Sequence, residues 1–318
     1  MQFDCHIDPL RFWFIIDHLR SSNIVKNFYP QKIRKTACFY GEKLNVYIDA
    51  SDGQAKEYGQ LEYCDRILRV VEDTQGKPFL FFKNWYSPTL CTPIEKVANE
   101  NNGKVIPFMY WSSWPHFRDF LWPNIHVLRA ESSLREKVFD IGVCARPETR
   151  TIPRPSVQDK RISWGGYEWF GFGKSENTGY YEHNARIVIP EKLKNSKFTF
   201  DHVFNIDFQE YIERSMSWKA LVDIPGVACV SHRMLENGWL GQCIILGKND
   251  VDFAFSWKKY YPEVDFSSPG WEEEVGNIIE NYEEWRHRIL YYLETFCTPA
   301  VITGYLIHHI YKNVDLLS

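Results

Sequence analysis

A chain of 318 residues, 44% hydrophobic and 25% charged, is read as a packed globular protein of two domains rather than a disordered chain. Its net charge of -4, without a dense Lys/Arg tract, excludes a protein that grips nucleic acid through a broad basic surface. The eight cysteines show no CxxC and no zinc-type spacing, so they are expected as buried thiols in a reducing compartment.

The opening MQFDCHIDPLRFWFIIDHLR has a short apolar run between acidic residues and lacks the pattern of a signal peptide. KTACFY and LNVYID then predict strands, EYCDRILRVVED a helix, PFLFFKNWY a strand, IEKVANENN a helix and KVIPFMYW a strand. A second series follows: strand at VFDIGVC, helix near RIVIPEKLKN, strand FTFDHVFNI, helix FQEYIERSMSW, strand KALVDIPG, helix 232–240 and strand CIIL. Strands alternating with helices predict two α/β halves, each a sheet with helices on its faces, joined near residues 130–137. Between them in character, TIPRPSVQDKRISWGGYEWFGFGKSENTGYY is rich in Gly, Pro, Ser and aromatics and is expected as a long irregular excursion. Helices close the chain; the last, within CTPAVITGYLIHHIY, contains Pro299 and falls short of the ~20 apolar residues of a membrane span. No stable membrane insertion and a soluble, cytoplasmic protein are expected.

The stretch SHRMLENGWLG (231–241) has an opening that an ordinary core helix does not need. LVDIPG ends a buried strand and VACVS leads to Ser231, a strand–loop–helix unit that aims N–H groups and a helix dipole at an anion. Arg233 adds a planar cation suited to phosphate oxygens, and Glu236, three residues on, shares its face. A carboxylate there can accept two hydrogen bonds from a ribose. The plainer alternative is a surface Arg–Glu pair.

The order Ser231-x-Arg233-x-x-Glu236, then Gly241-x-Cys243 and an apolar strand, resembles the nucleotide-sugar signature of exostosin-like glycosyltransferases. FDIGVCARPETR, with Gly142, Arg146 and Arg150, is similar to the family's other landmark, a strand ending in a glycine-containing turn followed by arginine. The likeness covers the second half of the chain. It departs after Arg150, where the family runs into a helix and this sequence does not. The resemblance implies a GT-B-like fold: two Rossmann-like domains facing a cleft, residues 1–134 for the acceptor and 135–295 for the nucleotide sugar. The closing helix, within 296–318, would cross back onto the first domain. It also implies transfer of a sugar from a nucleotide diphosphate sugar to a glycan hydroxyl, with inversion and with no metal or other cofactor. Ser231, Arg233, Glu236, Arg146 and Arg150 would hold the donor. Since members from eukaryotes are usually membrane-anchored, a bacterial or viral origin is the expectation.

Inversion needs a base that takes the proton of the attacking hydroxyl. In LNVYIDASDGQ, Asp52 in the turn is the first candidate and Asp49 at the strand end the second, although a turn pair and a cap would look the same. His116, within WSSWPHFRDF, is a further base candidate or part of an aromatic loop with Trp111 and Trp114, and Lys83 is expected to be solvated. Asp250-Val251-Asp252 matches the DxD of metal-dependent glycosyltransferases, whose carboxylates ligate a divalent cation. With aromatics at 16%, including 12 Trp, a non-catalytic glycan-binding module is the remaining alternative.

Overall fold

Strands buried on both faces are built on apolar runs, and VYI in LNVYID, FLFF in FLFFKN and ALV in KALVD are such runs. In the computed structural model, which describes residues 1–31, 36–49, 62–84, 86, 88–109, 116–147, 150–153, 173–174, 180–183, 185–224, 231–248, 251 and 253–314, these strands lie in two sheets. The chain divides into two units: Met1–Trp114, Asp252–Ser256 and Thr295–Ser318 form the first, and Pro115–Val251 with Trp257–Glu294 the second.

Unit 1 contains β1 (Phe3–Ile7), α1 (Trp13–Ser21), β2 (Val25–Pro30), β3 (Thr36–Gly41), β4 (Asn45–Asp49), α2 (Glu62–Thr74), β5 (Phe79–Asn84), α3 (Pro88–Glu100) and β6 (Gly103–Phe108). Its six-stranded sheet has the order β2-β1-β3-β4-β5-β6. All neighbours pair in parallel except β3, which runs against both β1 and β4. The antiparallel strand follows from a tight connection: Gly41 N–H donates to Leu44 O at 3.1 Å, leaving no room for a crossover helix. The α/β class is as expected, while one strand of a purely parallel arrangement is reversed.

Every residue of β4 and β5 is buried. Tyr47, Phe79 and Phe81 pack with Ile67 and Val70 of α2 and Ile94 and Ala98 of α3. α2 stops where Gln75 and Gly76 enter the left-handed region, at φ 52° and 82°. The closing helix, Pro299–Val314, belongs to this unit, packs on α1, and its Tyr305 hydroxyl donates to Pro107 O at 3.0 Å. Among the described residues no helix is long and apolar enough to cross a membrane.

Unit 2 begins with a π-helical turn (His116–Leu121) and α4 (Ile125–Leu134), then β7 (Phe139–Cys144), β8 (Arg150–Pro153), β9 (Gly173–Lys174), β10 (Tyr180–His183), α5 (Ala185–Lys194), β11 (Phe200–Val203) and α6 (Phe208–Ser215). It continues with β12 (Trp218–Asp223), α7 (Arg233–Trp239), β13 (Cys243–Gly247), β14 (Glu263–Val264), α8 (Trp271–Glu280) and α9 (Tyr282–Phe296). The expected excursion is not wholly irregular: β8, β10 and β9 form a small antiparallel sheet, with Arg150 opposite His183. The division between units precedes α4 instead of following it. Arg129 explains why, since its Nε donates to Trp239 O at 3.0 Å and its Nη1 to Glu294 at 2.6 Å, tying α4 to unit 2.

The main sheet of unit 2 is parallel throughout, in the order β11-β7-β12-β13-β14. Ile141 and Val143, Ala220 and Val222, and Cys243 and Ile245 share one face, covered by Ala185, Ile189 and Leu193 of α5 and Val275 and Ile278 of α8. Leu221, Ile244 and Leu246 alternate with them and are equally buried. α6 packs on β12, and α7 on β12 and β13, without joining that cluster. In chain order the strands read 2-1-3-4-5, so helices cover both faces and the winding reverses between β7 and β12.

Gly142 does not sit in a turn, as its place in FDIGVC suggested; it lies inside β7. A Cβ there would come within 1.8 Å of the Trp218 ring. Trp218 is itself fixed by donating Nε1–H to Asp201 at 2.9 Å, and Asp201 also accepts both arms of Arg214 at 2.8 Å. Gly142→Ala is therefore expected to lower stability by about 1–3 kcal/mol, the usual cost of overpacking, read as a lower urea midpoint with an unchanged slope.

Candidate functional site

In a doubly wound sheet, ligands lie outside the carboxyl ends of the strands where the winding reverses. Here those ends are Cys144 of β7 and Asp223 of β12. Asp223 is buried and accepts from the Ser231 backbone N–H at 2.8 Å and from the Ser231 hydroxyl. These two bonds tie the start of α7 to the end of β12. They also occupy a donor that the sequence reserved for an outside anion. α7 is only seven residues long, and its N-cap, His232, makes no side-chain cap bond. The anion-binding capacity therefore rests on side chains.

Arg233 and Glu236 both point toward this region. Burial opposes the Arg233 charge, but the surrounding groups, the Asp223 and Glu236 carboxyls among them, outweigh it and hold the guanidinium protonated. Among the described residues its one hydrogen bond to an oxygen is a long one, 3.4 Å to Ser231 Oγ, and it lies against the Cys144 thiol. A guanidinium has five N–H groups, so donors remain. Burial pushes the Cys144 thiol up, with Arg233 pulling the other way, so the cysteine is a neutral neighbour rather than a nucleophile. Burial also raises the Asp223 carboxyl, opposed by Arg233, the Ser231 hydrogen bonds and Arg186. Arg186, at the start of α5 and 9% exposed, thus acts on both Asp223 and Cys144. Arg146 follows β7 and is exposed.

Glu236 is 5% exposed, yet among the described residues no hydrogen bond reaches its carboxylate. Among the described residues the nearest basic side chain is His116, whose Nε2 lies 3.7 Å from Oε1. A carboxylate on a largely buried residue normally carries several hydrogen bonds or a close counter-ion. The helix beneath is rigid: the Tyr211 hydroxyl donates to Asn237, Asn237 to Gln242, and Gln242 to Ser215 at 3.2 Å, all buried. Glu236 is thus held in place by its neighbours while its own oxygens stay open to a donor.

His116 comes to this site from the π-helical turn, far away in sequence. Its ring lies against Phe208 at the start of α6, centroids 4.0 Å apart and tilted by 32°. α6 is well anchored there: Asp207 accepts from the Glu210 N–H at 2.8 Å, the N-cap bond that Asp-x-x-Glu predicts. No local pattern announces the approach of His116 to Glu236. The one sequence signal for Asp223 was an acidic residue ending an apolar strand before Pro-Gly.

The remaining candidates lie elsewhere. Asp52, Asp250, Asp252, Trp111 and Trp114 fall outside the described residues. Arg150 opens β8. Asp49 ends β4 in unit 1, opposite Lys83 in the parallel register, and its carboxylate is 3.1 Å from Lys83 Nζ. Lys83 is not solvated as expected: both side chains are 2% exposed, and Lys83 also donates to Asn84 O at 3.0 Å. Asp49 is therefore committed to a buried counter-ion. Cys5, Cys38, Cys144, Cys243 and Cys297 are thiols, not disulfides. Compared with profiles of known protein families the chain matches none, and no curated protein matches it either.

Removing one member of a buried ion pair strands the other charge. Lys83→Met is expected to destabilise by about 3–5 kcal/mol, and the double variant Lys83→Met/Asp49→Leu to recover most of that loss. Chemical denaturation of the three proteins checks it; a double variant as unstable as the single would mean that Asp49 does not depend on Lys83.

Proposed function

We propose that unit 2 binds a nucleoside diphosphate sugar and that the protein transfers this sugar to a glycan hydroxyl, with inversion and with no metal ion in the scheme. The observation that carries the reading is the pairing, on one helix, of a largely buried carboxylate that accepts no hydrogen bond among the described residues with an arginine that has donors to spare. Together they form a site short of an anion on one side and of hydroxyl donors on the other. A diphosphate joined to a ribose supplies both: phosphate oxygens for Arg233 and the 2′,3′-diol for Glu236. The place of the pair, at the reversal point of a parallel sheet, agrees with where such ligands bind. The order of Ser231, Arg233 and Glu236 also agrees with the exostosin-like signature.

In the reaction, a carboxylate takes the acceptor hydroxyl proton as that oxygen bonds to the anomeric carbon. The bond from that carbon to the diphosphate oxygen breaks from the opposite face, and the electron pair leaves with the diphosphate. Arg233, aided by Arg186 and Arg146, meets the growing negative charge. Assigning the donor to unit 2 and the acceptor to unit 1 is the division of labour of a GT-B enzyme. Asp52 is the proposed base. Asp49 is passed over because a carboxylate shut in with Lys83 is not available to a hydroxyl.

Titration calorimetry with UDP and GDP tests the donor site. One of them is expected to bind, and Glu236→Gln to weaken it about ten-fold, the worth of a charged hydrogen bond. Because no hydrogen bond among the described residues depends on the Glu236 carboxylate, the same substitution should leave the thermal midpoint unchanged or raise it. If neither nucleotide binds, the reading is removed. Asp52→Asn is expected to abolish transfer to the acceptor while nucleotide affinity stays within about two-fold; full turnover would place the base elsewhere.

A further inference from the structure

Glu236 has two different neighbours. On its own helix lies Arg233, one turn back; across from it lies His116, backed by Phe208. A nucleoside diphosphate has the matching sequence of parts. The diphosphate leaves the ribose through C5′, the base leaves through C1′, and the 2′,3′-diol lies between. With the diol on Glu236 and the phosphates on Arg233, the base is carried toward the His116 side.

We infer that the His116 ring, supported by Phe208, is the platform on which the nucleobase of the donor stacks. This rests on the donor reading above and assigns His116 a role in binding rather than in proton transfer. The His116 side chain keeps 34% of its surface exposed, whereas Glu236 beside it is buried, so the ring stands at the open side of the site. Phe208 lies against the ring at 4.0 Å, and Phe120 meets Phe208 edge-on at 6.3 Å. The ring is therefore a braced surface. A flat, braced aromatic ring offers a nucleobase its π-face, and such stacking tolerates any base. The Nε2 edge of the ring lies 3.7 Å from Glu236 Oε1.

The test compares probes with and without a base. Affinities of UDP, GDP, ribose 5-phosphate and inorganic pyrophosphate are measured by calorimetry for the wild type, His116→Ala and His116→Phe. His116→Ala is expected to lose about ten-fold on UDP or GDP, the scale of one base–aromatic stack, and nothing on ribose 5-phosphate or pyrophosphate. His116→Phe, which keeps an aromatic ring but not the ring nitrogens, is expected to stay within about three-fold of wild type. Equal losses on pyrophosphate would mean that His116 only supports the fold, and unchanged UDP and GDP affinity for His116→Ala would mean that the base lies elsewhere. Either result overturns the platform while leaving the donor site standing. Wild-type protein that binds pyrophosphate but neither nucleotide overturns both.

Discussion

One carboxylate sets the geometry of unit 2. Asp223 ends β12 and takes both the N–H and the hydroxyl of Ser231, so the chain that returns from the sheet can start α7 in only one place. Everything chemical in the region follows from that anchor. Two residues beyond it Arg233 comes beside Cys144, and a turn later Glu236 comes opposite His116. The Tyr211–Asn237–Gln242–Ser215 chain then locks the far side of the helix. A helix of this length is marginal by itself; tertiary bonds, not propensity, keep it formed.

Two buried acids in this protein show opposite solutions to the same problem. Asp49 sits 3.1 Å from Lys83, and the pair is closed off from water together. Glu236 is nearly as buried, but among the described residues its nearest basic side chain is His116 at 3.7 Å and no hydrogen bond reaches its carboxylate. The first arrangement is complete and serves the fold. The second, among the described residues, leaves its oxygens open to a donor from outside. That contrast, more than any single distance, is what singles out Glu236 as a site candidate.

The sequence made the sheets and their order of helices readable because central strands carry apolar runs, FLFF in one and ALV in the other, that have few other ways to be buried. It also singled out Arg233 and Glu236, whose spacing places them on one helical face. Other features depended on partners distant in sequence. The alternation in FDCHI signals β1, but only its pairing with both β2 and β3 shows that it belongs to the sheet. The reversal of β3 follows from a single turn bond at Gly41. Lys83 read as solvated because lysine usually is; its burial follows from the register that sets it opposite Asp49. His116 looked like part of a Trp-rich loop, and its approach to Glu236 is set by the way the π-helical turn packs on α6.

Gly142 and Trp218 illustrate how such long-range dependence restricts the paths open to the molecule. The indole occupies the space that any side chain at 142 would need, and Asp201 and Arg214 hold the indole where it is. The two positions behave as a single heritable character. A lineage could enlarge the residue on β7 only after, or together with, a smaller one at the head of β12, so divergence at this spot must proceed in correlated pairs.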